Sequence, residues 1–246
     1  MKEVILCAKN LNKIVLRDVS ADFYKGDFTV IMGSSGAGKS TLLYALSRTD
    51  KVEKGDIFFK DVNISNVSEK QMAKIRSESF GFVFQSANLI SNVTLYENVL
   101  VAGFLDADRS EKELRNETDK IFEQMKLNDV KDHLPSEASG GEQQRCAIAR
   151  AIINKPDIIF ADEPTGALNK QNSTEVLNML SFLNQQGQTI LMVTHDIRSA
   201  IRGNRILYLE DGSIVSELNL GTFEDVEEKM KQREEKLSLW LKDLQW

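Results

Sequence analysis

Only two cysteines, Cys7 and Cys146, occur in the 246 residues, and they lie far apart along the chain. That excludes a disulfide-stapled secreted scaffold and fits two lone thiols in a reducing compartment. No apolar run approaches the ~20 residues a spanning helix needs, and the longest, Val99 to Leu105, falls far short. The opening Met1-Lys2-Glu3-Val4-Ile5-Leu6 carries an acid and no extended apolar stretch, so a first strand is expected there and not a secretory signal. Basic residues are outnumbered: 31 Lys and Arg against 37 Asp and Glu leave a net charge of −6, which argues against a nucleic-acid partner. There is no internal repeat and no low-complexity tract. What remains is ordinary for a globular chain, 41% hydrophobic and 28% charged. The length suits one large α/β domain or one domain with an inserted subdomain.

The hydrophobic pattern supplies the order of elements. Asp27 to Met32 (DFTVIM) is a β-type run followed by a glycine loop and a helical stretch, Ser40 to Ser47. Asp56 to Ile64, Phe80 to Gln85, Ile158 to Ala161 and Thr189 to Thr194 also read as strands. Lys170 to Gln186 has helical spacing through Val176, Leu177, Leu180 and Leu183 and stops at Gly187. Asp211-Gly212 between Arg205–Glu210 and Ser213–Glu217 signals a hairpin. Between Gln85 and Pro156 charged helical segments dominate, such as Arg109 to Lys126 and Glu142 to Ile153, which reads as a helical insertion in an α/β core. In the tail, Phe223, Val226, Met230, Leu237, Trp240 and Leu244 form one helical stripe, expected to dock on its own domain.

Three segments carry chemistry. Gly33-Ser34-Ser35-Gly36-Ala37-Gly38-Lys39-Ser40-Thr41 fits G-x-x-x-x-G-K-[ST] between a strand and a helix, the context a phosphate cradle requires. Glycines let successive N–H groups face an anion, the helix start adds positive potential, Lys39 reaches the β- and γ-phosphates, and the Ser40 hydroxyl suits Mg²⁺. Ile158 to Glu163 (IIFADE) is an apolar strand ending in two carboxylates. Asp162 is placed to hold the magnesium shell and Glu163 to polarise the water that attacks the γ-phosphate. Ala138-Ser139-Gly140-Gly141-Glu142-Gln143-Gln144-Arg145 offers a second anion-binding helix start, capped by Ser139. Two such starts in one chain suggest two copies facing each other, each giving half of a site.

With these residues in view, the chain resembles the ATP-binding cassette (ABC) ATPases over nearly its whole length. The likeness rests on the phosphate loop, Gln85 ending a strand, the ASGGEQQR segment, the IIFADEP strand, and His195 after TILMVT. The resemblance implies a P-loop NTPase core with a parallel sheet, an antiparallel β edge and an inserted helical subdomain. The ATPase domain is expected over 1–221, with the insertion at about 86–155 and an amphipathic helix over 222–246. It further implies Mg²⁺-dependent hydrolysis of ATP, with Glu163, His195 and Gln85 catalytic. Ser40, Gln85 and Asp162 would serve the metal. Gly33 to Thr41 would bind the nucleotide, and Ser139, Gly140, Gly141 and Glu142 would grip it from the opposite subunit of an ATP-induced homodimer. His133, outside any motif, is read as a surface residue.

The stretch Phe80 to Leu105 is most similar to the branch serving lipoprotein release, macrolide efflux, antimicrobial-peptide resistance and division-site signalling. That branch implies a permease on a separate chain and a peripheral place at the cytoplasmic face of the membrane. The alternative, a soluble ABC ATPase acting on DNA or ribosomes, fits less well with one cassette, a short helical link and an acidic charge. A module that binds ATP without turnover is disfavoured by Glu163 and His195. Two departures stand out: Lys9 to Leu16 has no aromatic to stack on adenine, and Asn169 replaces the usual Asp of Ala-Leu-Asp.

Overall fold

The computed structural model describes residues 2–105 and 109–246; residues 106–108, inside the expected helical insertion, lie outside it. In chain order the elements are β1 (Val4–Lys13), β2 (Leu16–Tyr24), β3 (Phe28–Met32), α1 (Lys39–Leu46), β4 (Lys54–Phe59), β5 (Val62–Asn63), α2 (Glu69–Ser79) and β6 (Phe80–Val83). Then follow α3 (Leu95–Gly103), α4 (Glu111–Gln124), α5 (Gly140–Ile152), β7 (Ile158–Asp162), α6 (Lys170–Gln185), β8 (Thr189–Val193), α7 (Ile197–Ala200), β9 (Arg205–Glu210), β10 (Ser213–Asn219) and α8 (Glu227–Asp243). The fold is α/β with parallel strands, a separate antiparallel sheet and helices, as the sequence implied. Two compact units are formed, Met1–Met72 with Leu183–Trp246, and Ala73–Phe182.

In the first unit, β3 lies between β8 and β9, parallel to both. Every residue of β3 and β8 is buried, which is why these segments are continuous apolar runs without alternation. β10 closes one edge antiparallel to β9 through Asp211-Gly212, both at positive φ, the turn that the Asp-Gly pair predicts. β2, β1, β4 and β5 make the antiparallel sheet. Here one expectation is corrected. Asp56 to Ile64 is not one strand but a hairpin, turning at Lys60-Asp61 with φ of 47° and 63°. The left-handed turn is made by two residues without the Gly or Asn that normally marks it.

Helix α8 docks on this unit along most of the expected stripe, with Phe223 and Leu237 buried and Met230, Trp240 and Leu244 half-buried. The stripe departs from expectation at Val226 and gains Arg233 and Leu241. Val226 precedes the helix and is 49% exposed, whereas Arg233, Leu237 and Leu241, spaced by four, are buried. The charge is buried because Arg233 donates from Nε to the Ile201 carbonyl (2.8 Å) and from Nη1 to that of Leu220 (2.9 Å). Phe223 sits under both Arg202 and Arg233, and Trp240 meets Tyr208 edge-on.

In the second unit β6 and β7 pair in parallel, with Phe160 stacked against Phe82 and edge-on to Phe80. Gly81 lies so close to α5 that a Cβ there would sit 2.5 Å from the Ala151 carbonyl oxygen. Helices α3, α4 and α5 each begin with a reciprocal capping box, Thr94/Glu97, Ser110/Glu113 and Ser139/Glu142. Both cysteines are free. Burial pushes Cys7 up to about 11 and Cys146 up to about 12, so both are thiols at neutral pH.

Candidate functional site

The phosphate loop joins β3 to α1. Its first residue, Gly33, is fixed by a close approach: a Cβ would meet the Leu209 carbonyl oxygen at 2.0 Å. Its last glycine, Gly38, takes φ 100° as the N-cap of α1, and no side chain caps that helix. With no acid in its first turn, the helix start is a positive end open to an anion. Ser34, Ser35 and Gly36 are exposed, while Ala37 and Lys39 are buried. The Lys39 ammonium donates to the carbonyls of Gly33 (2.9 Å) and Ser34 (2.8 Å), which aims the charge along the loop. Ser40 and Thr41 follow in the first turn of α1.

β8 runs beside β3 in the same direction, Ile31 opposite Val193, so His195 emerges at the same edge of the sheet as the phosphate loop. His195 is exposed and follows buried Thr194; Asp196, also exposed, caps α7 by accepting from the Ser199 N–H and hydroxyl. At the β1–β2 turn, Ile14 is 81% exposed with φ 45°. Val15 beside it is so near Gly38 that a Cβ there would lie 3.0 Å from its Cγ2. Val15 and Leu16 thus border the phosphate loop at Gly38 with aliphatic side chains.

In the second unit, parallel pairing of β6 and β7 brings Gln85, two residues past β6, and Asp162-Glu163, at the end of β7, to one edge. Glu163 has φ 45°, an uncommon conformation for a non-glycine residue. The turn is closed by the Gly166 N–H donating to the Glu163 carbonyl at 2.9 Å. Gln85 lies over that turn: a Cβ on Gly166 would be 2.8 Å from its Nε2. Asn169 accepts from the Asn172 N–H at 2.9 Å, so it keeps the capping role of an aspartate without the charge.

Ser139 caps α5. Its backbone N–H and hydroxyl both donate to the Glu142 carboxylate (2.7 and 2.8 Å), and the Glu142 N–H donates back to the Ser139 hydroxyl. Gly140 is exposed, but Gly141 is buried under Asn172, whose Cγ would lie 2.6 Å from a Cβ there. Asn172 is a neighbour of the capped helix that no motif announced. His133 is exposed, as read.

The hydrogen bonds from Ser139 hold the Glu142 carboxyl below its usual range. A lowered folded-state value means the cap stabilises above the unfolded value and is lost as pH falls through the folded one. Glu142→Ala is expected to cost about 1 kcal/mol, or a melting drop of about 2–4 °C at neutral pH. The gap should narrow as pH falls below the ordinary glutamate value of about 4.3 and close only once the lowered folded value is passed. Scanning calorimetry at both pH values checks this, and an undiminished gap in acid would refute the cap assignment.

In the first unit Ser40 carries a hydroxyl, and in the second Gln85 and Asp162 carry an amide oxygen and a carboxylate at one edge of the β6–β7 pair. Each is a hard oxygen donor of the kind that suits Mg²⁺. Among the described residues no cluster of three His, Cys, Asp or Glu is poised for a metal.

A sequence model described as ABC transporter matches residues 16–166. The chain is 39% identical over 219 residues to the lipoprotein-releasing system ATP-binding protein LolD of Aquifex aeolicus, covering 87% of this chain and 97% of that one. It is 40% identical over 203 residues to the macrolide export ATP-binding/permease protein MacB of Pasteurella multocida, covering 82% of this chain but only 31% of the relative. Among solved structures it is similar to the dimeric ATP-binding cassette MJ0796 in a post-hydrolysis state bound to ADP and phosphate. The TM-score is 0.81 at 36% identity, over 89% of this chain and all of that one.

Proposed function

Because the chain belongs to the ABC transporter family, we propose that it is the ATP-hydrolysing subunit of a transporter whose membrane-spanning permease is a separate chain. The observation that carries the reading is the phosphate loop: an uncapped helix start, a buried Lys39 aimed along the loop carbonyls, and Ser40 in the first turn. Among the described residues no helix is long and apolar enough to cross a membrane. In this reading the partner permease supplies the membrane path, and the subunit works from its cytoplasmic face.

In this reading Lys39 and the loop N–H groups hold the phosphates, and His195 orients the γ-phosphate. Glu163 accepts a proton from the attacking water while the bond to the leaving ADP oxygen breaks. Mg²⁺, held by Ser40, Gln85 and Asp162, would neutralise charge on the phosphate oxygens. Two subunits would close over two nucleotides, with Ser139, Gly140, Gly141 and Glu142 of each completing the other's site. Closing and reopening would move the permease, for export, for peptide-antibiotic resistance or for transmitting force across the membrane.

Steady-state phosphate release from the purified full chain tests the activity. Lys39→Ala should abolish it, and equal release from both proteins would sink the proposal. Affinity purification from the native host, followed by mass spectrometry, should recover a separate multispanning protein. Recovery of only soluble or ribosomal proteins would refute the permease assignment.

Base recognition should be weak. An aromatic under a base contributes about 1–3 kcal/mol in single-strand binding, and Ile14 and Val15 offer no π face. The dissociation constants of ATP and GTP are expected to differ by roughly tenfold or less. Equilibrium binding with each nucleotide checks this, and a preference above about a hundredfold would reveal a base contact elsewhere.

A further inference from the structure

The loop that carries Gln85 is held from one side by a single helix. Gln144, on α5, is 2% exposed, and its Nε2 donates to the carbonyl of Phe84 at 2.7 Å. That carbonyl belongs to the peptide plane leading into Gln85, so fixing it fixes the plane from which Gln85 departs. Six residues on, Arg150 donates from Nη2 to the Ala87 carbonyl (2.8 Å) and from Nη1 to that of Asn88 (2.6 Å). Three hydrogen bonds from α5 thus grip residues 84–88 on both flanks of Gln85. The side chain of Gln85 in turn rests on Gly166, in the turn closed behind Glu163.

We propose that Gln144, together with Arg150, is a positioning residue for Gln85. The position demands a neutral side chain long enough to reach Phe84 and ending in an N–H donor. A shorter or apolar group takes that donor away from a carbonyl met by a buried side chain. The proposal rests on reading Gln85 as a metal ligand, and the test separates the two.

The test is a double-mutant cycle on the full chain with Gln85→Ala, Gln144→Met and the double variant. It reads the Mg²⁺ concentration for half-maximal ATP turnover and, independently of activity, deuterium uptake by the peptide spanning residues 84–90. Gln144→Met is expected to raise the Mg²⁺ requirement roughly tenfold in the wild-type background and less than about twofold when Gln85 is already alanine. Deuterium uptake at 84–90 should quicken in Gln144→Met by more than it does in peptides elsewhere in the chain. Equal losses in both backgrounds, or unchanged uptake at 84–90, would overturn the positioning role while leaving Gln85 as a ligand. A silent Gln85→Ala would remove the metal role and the proposal together. If Gln144→Met melts below the assay temperature, Arg150→Lys carries the same cycle, since it keeps the charge but cannot hold both carbonyls.

Discussion

Glu163→Gln should slow ATP turnover by ~10²–10⁴-fold, the usual contribution of a general base, while leaving ATP binding intact. The amide has the size and shape of the carboxylate but takes no proton from water at neutral pH. Glu163 follows the last residue of β7 and sits at φ 45°, held by the turn that the Gly166 N–H closes on its carbonyl. That contact is made by the backbone, so exchanging the side chain leaves the turn standing. Lys39 and Ser40 belong to a different segment and keep their place. Bound nucleotide should therefore persist and the ATP-loaded dimer should accumulate, seen as a shift in light-scattering mass on adding Mg²⁺ and ATP. Turnover within about threefold of wild type would remove Glu163 from the mechanism.

The parts of the molecule that could be read in advance share one property, that local chemistry dictates them. The phosphate loop needs glycine where a Cβ would strike Leu209, and lysine and serine at fixed distances beyond. β3 and β8 are apolar at every position but Thr29 and Thr189 because all of their residues are buried. Asp211-Gly212 needs two residues tolerant of positive φ. The failures have the opposite character. In Lys60-Asp61 only Asp61 tolerates a left-handed conformation readily, and without a glycine beside it the pair is a weak turn signal. The surrounding sheet completes the turn by placing Lys60 at positive φ as well. A hydrophobic stripe drawn on the tail passes over Arg233, because carbonyls of residues 201, 203 and 220 to 222 satisfy its guanidinium from outside the helix. Gln144 is read in one dimension as one glutamine of a polar motif, and its partner, the Phe84 carbonyl, lies sixty residues away.

The same distinction separates what a single chain carries from what two copies must build. Take one chain with Lys39→Ala and a second with Ser139→Arg, each inactive as a homodimer. Lys39→Ala removes the ammonium that runs along the phosphate loop. Ser139→Arg destroys the cap that begins α5 and puts a bulky cation before Gly140. If each nucleotide lies between the loop of one copy and the capped helix of the other, the mixed dimer has one site with both lesions and one with none. Mixed dimers should then hold ATP at half the wild-type occupancy. If each chain completed its own site, every site would carry one lesion and occupancy would be near zero. Two affinity tags isolate the mixed species, and Glu163→Gln in both chains keeps trapped ATP from turning over. Occupancy is the right readout, because turnover fails if both sites must act together while binding at the intact site does not. Empty mixed dimers beside fully loaded controls would refute the shared arrangement.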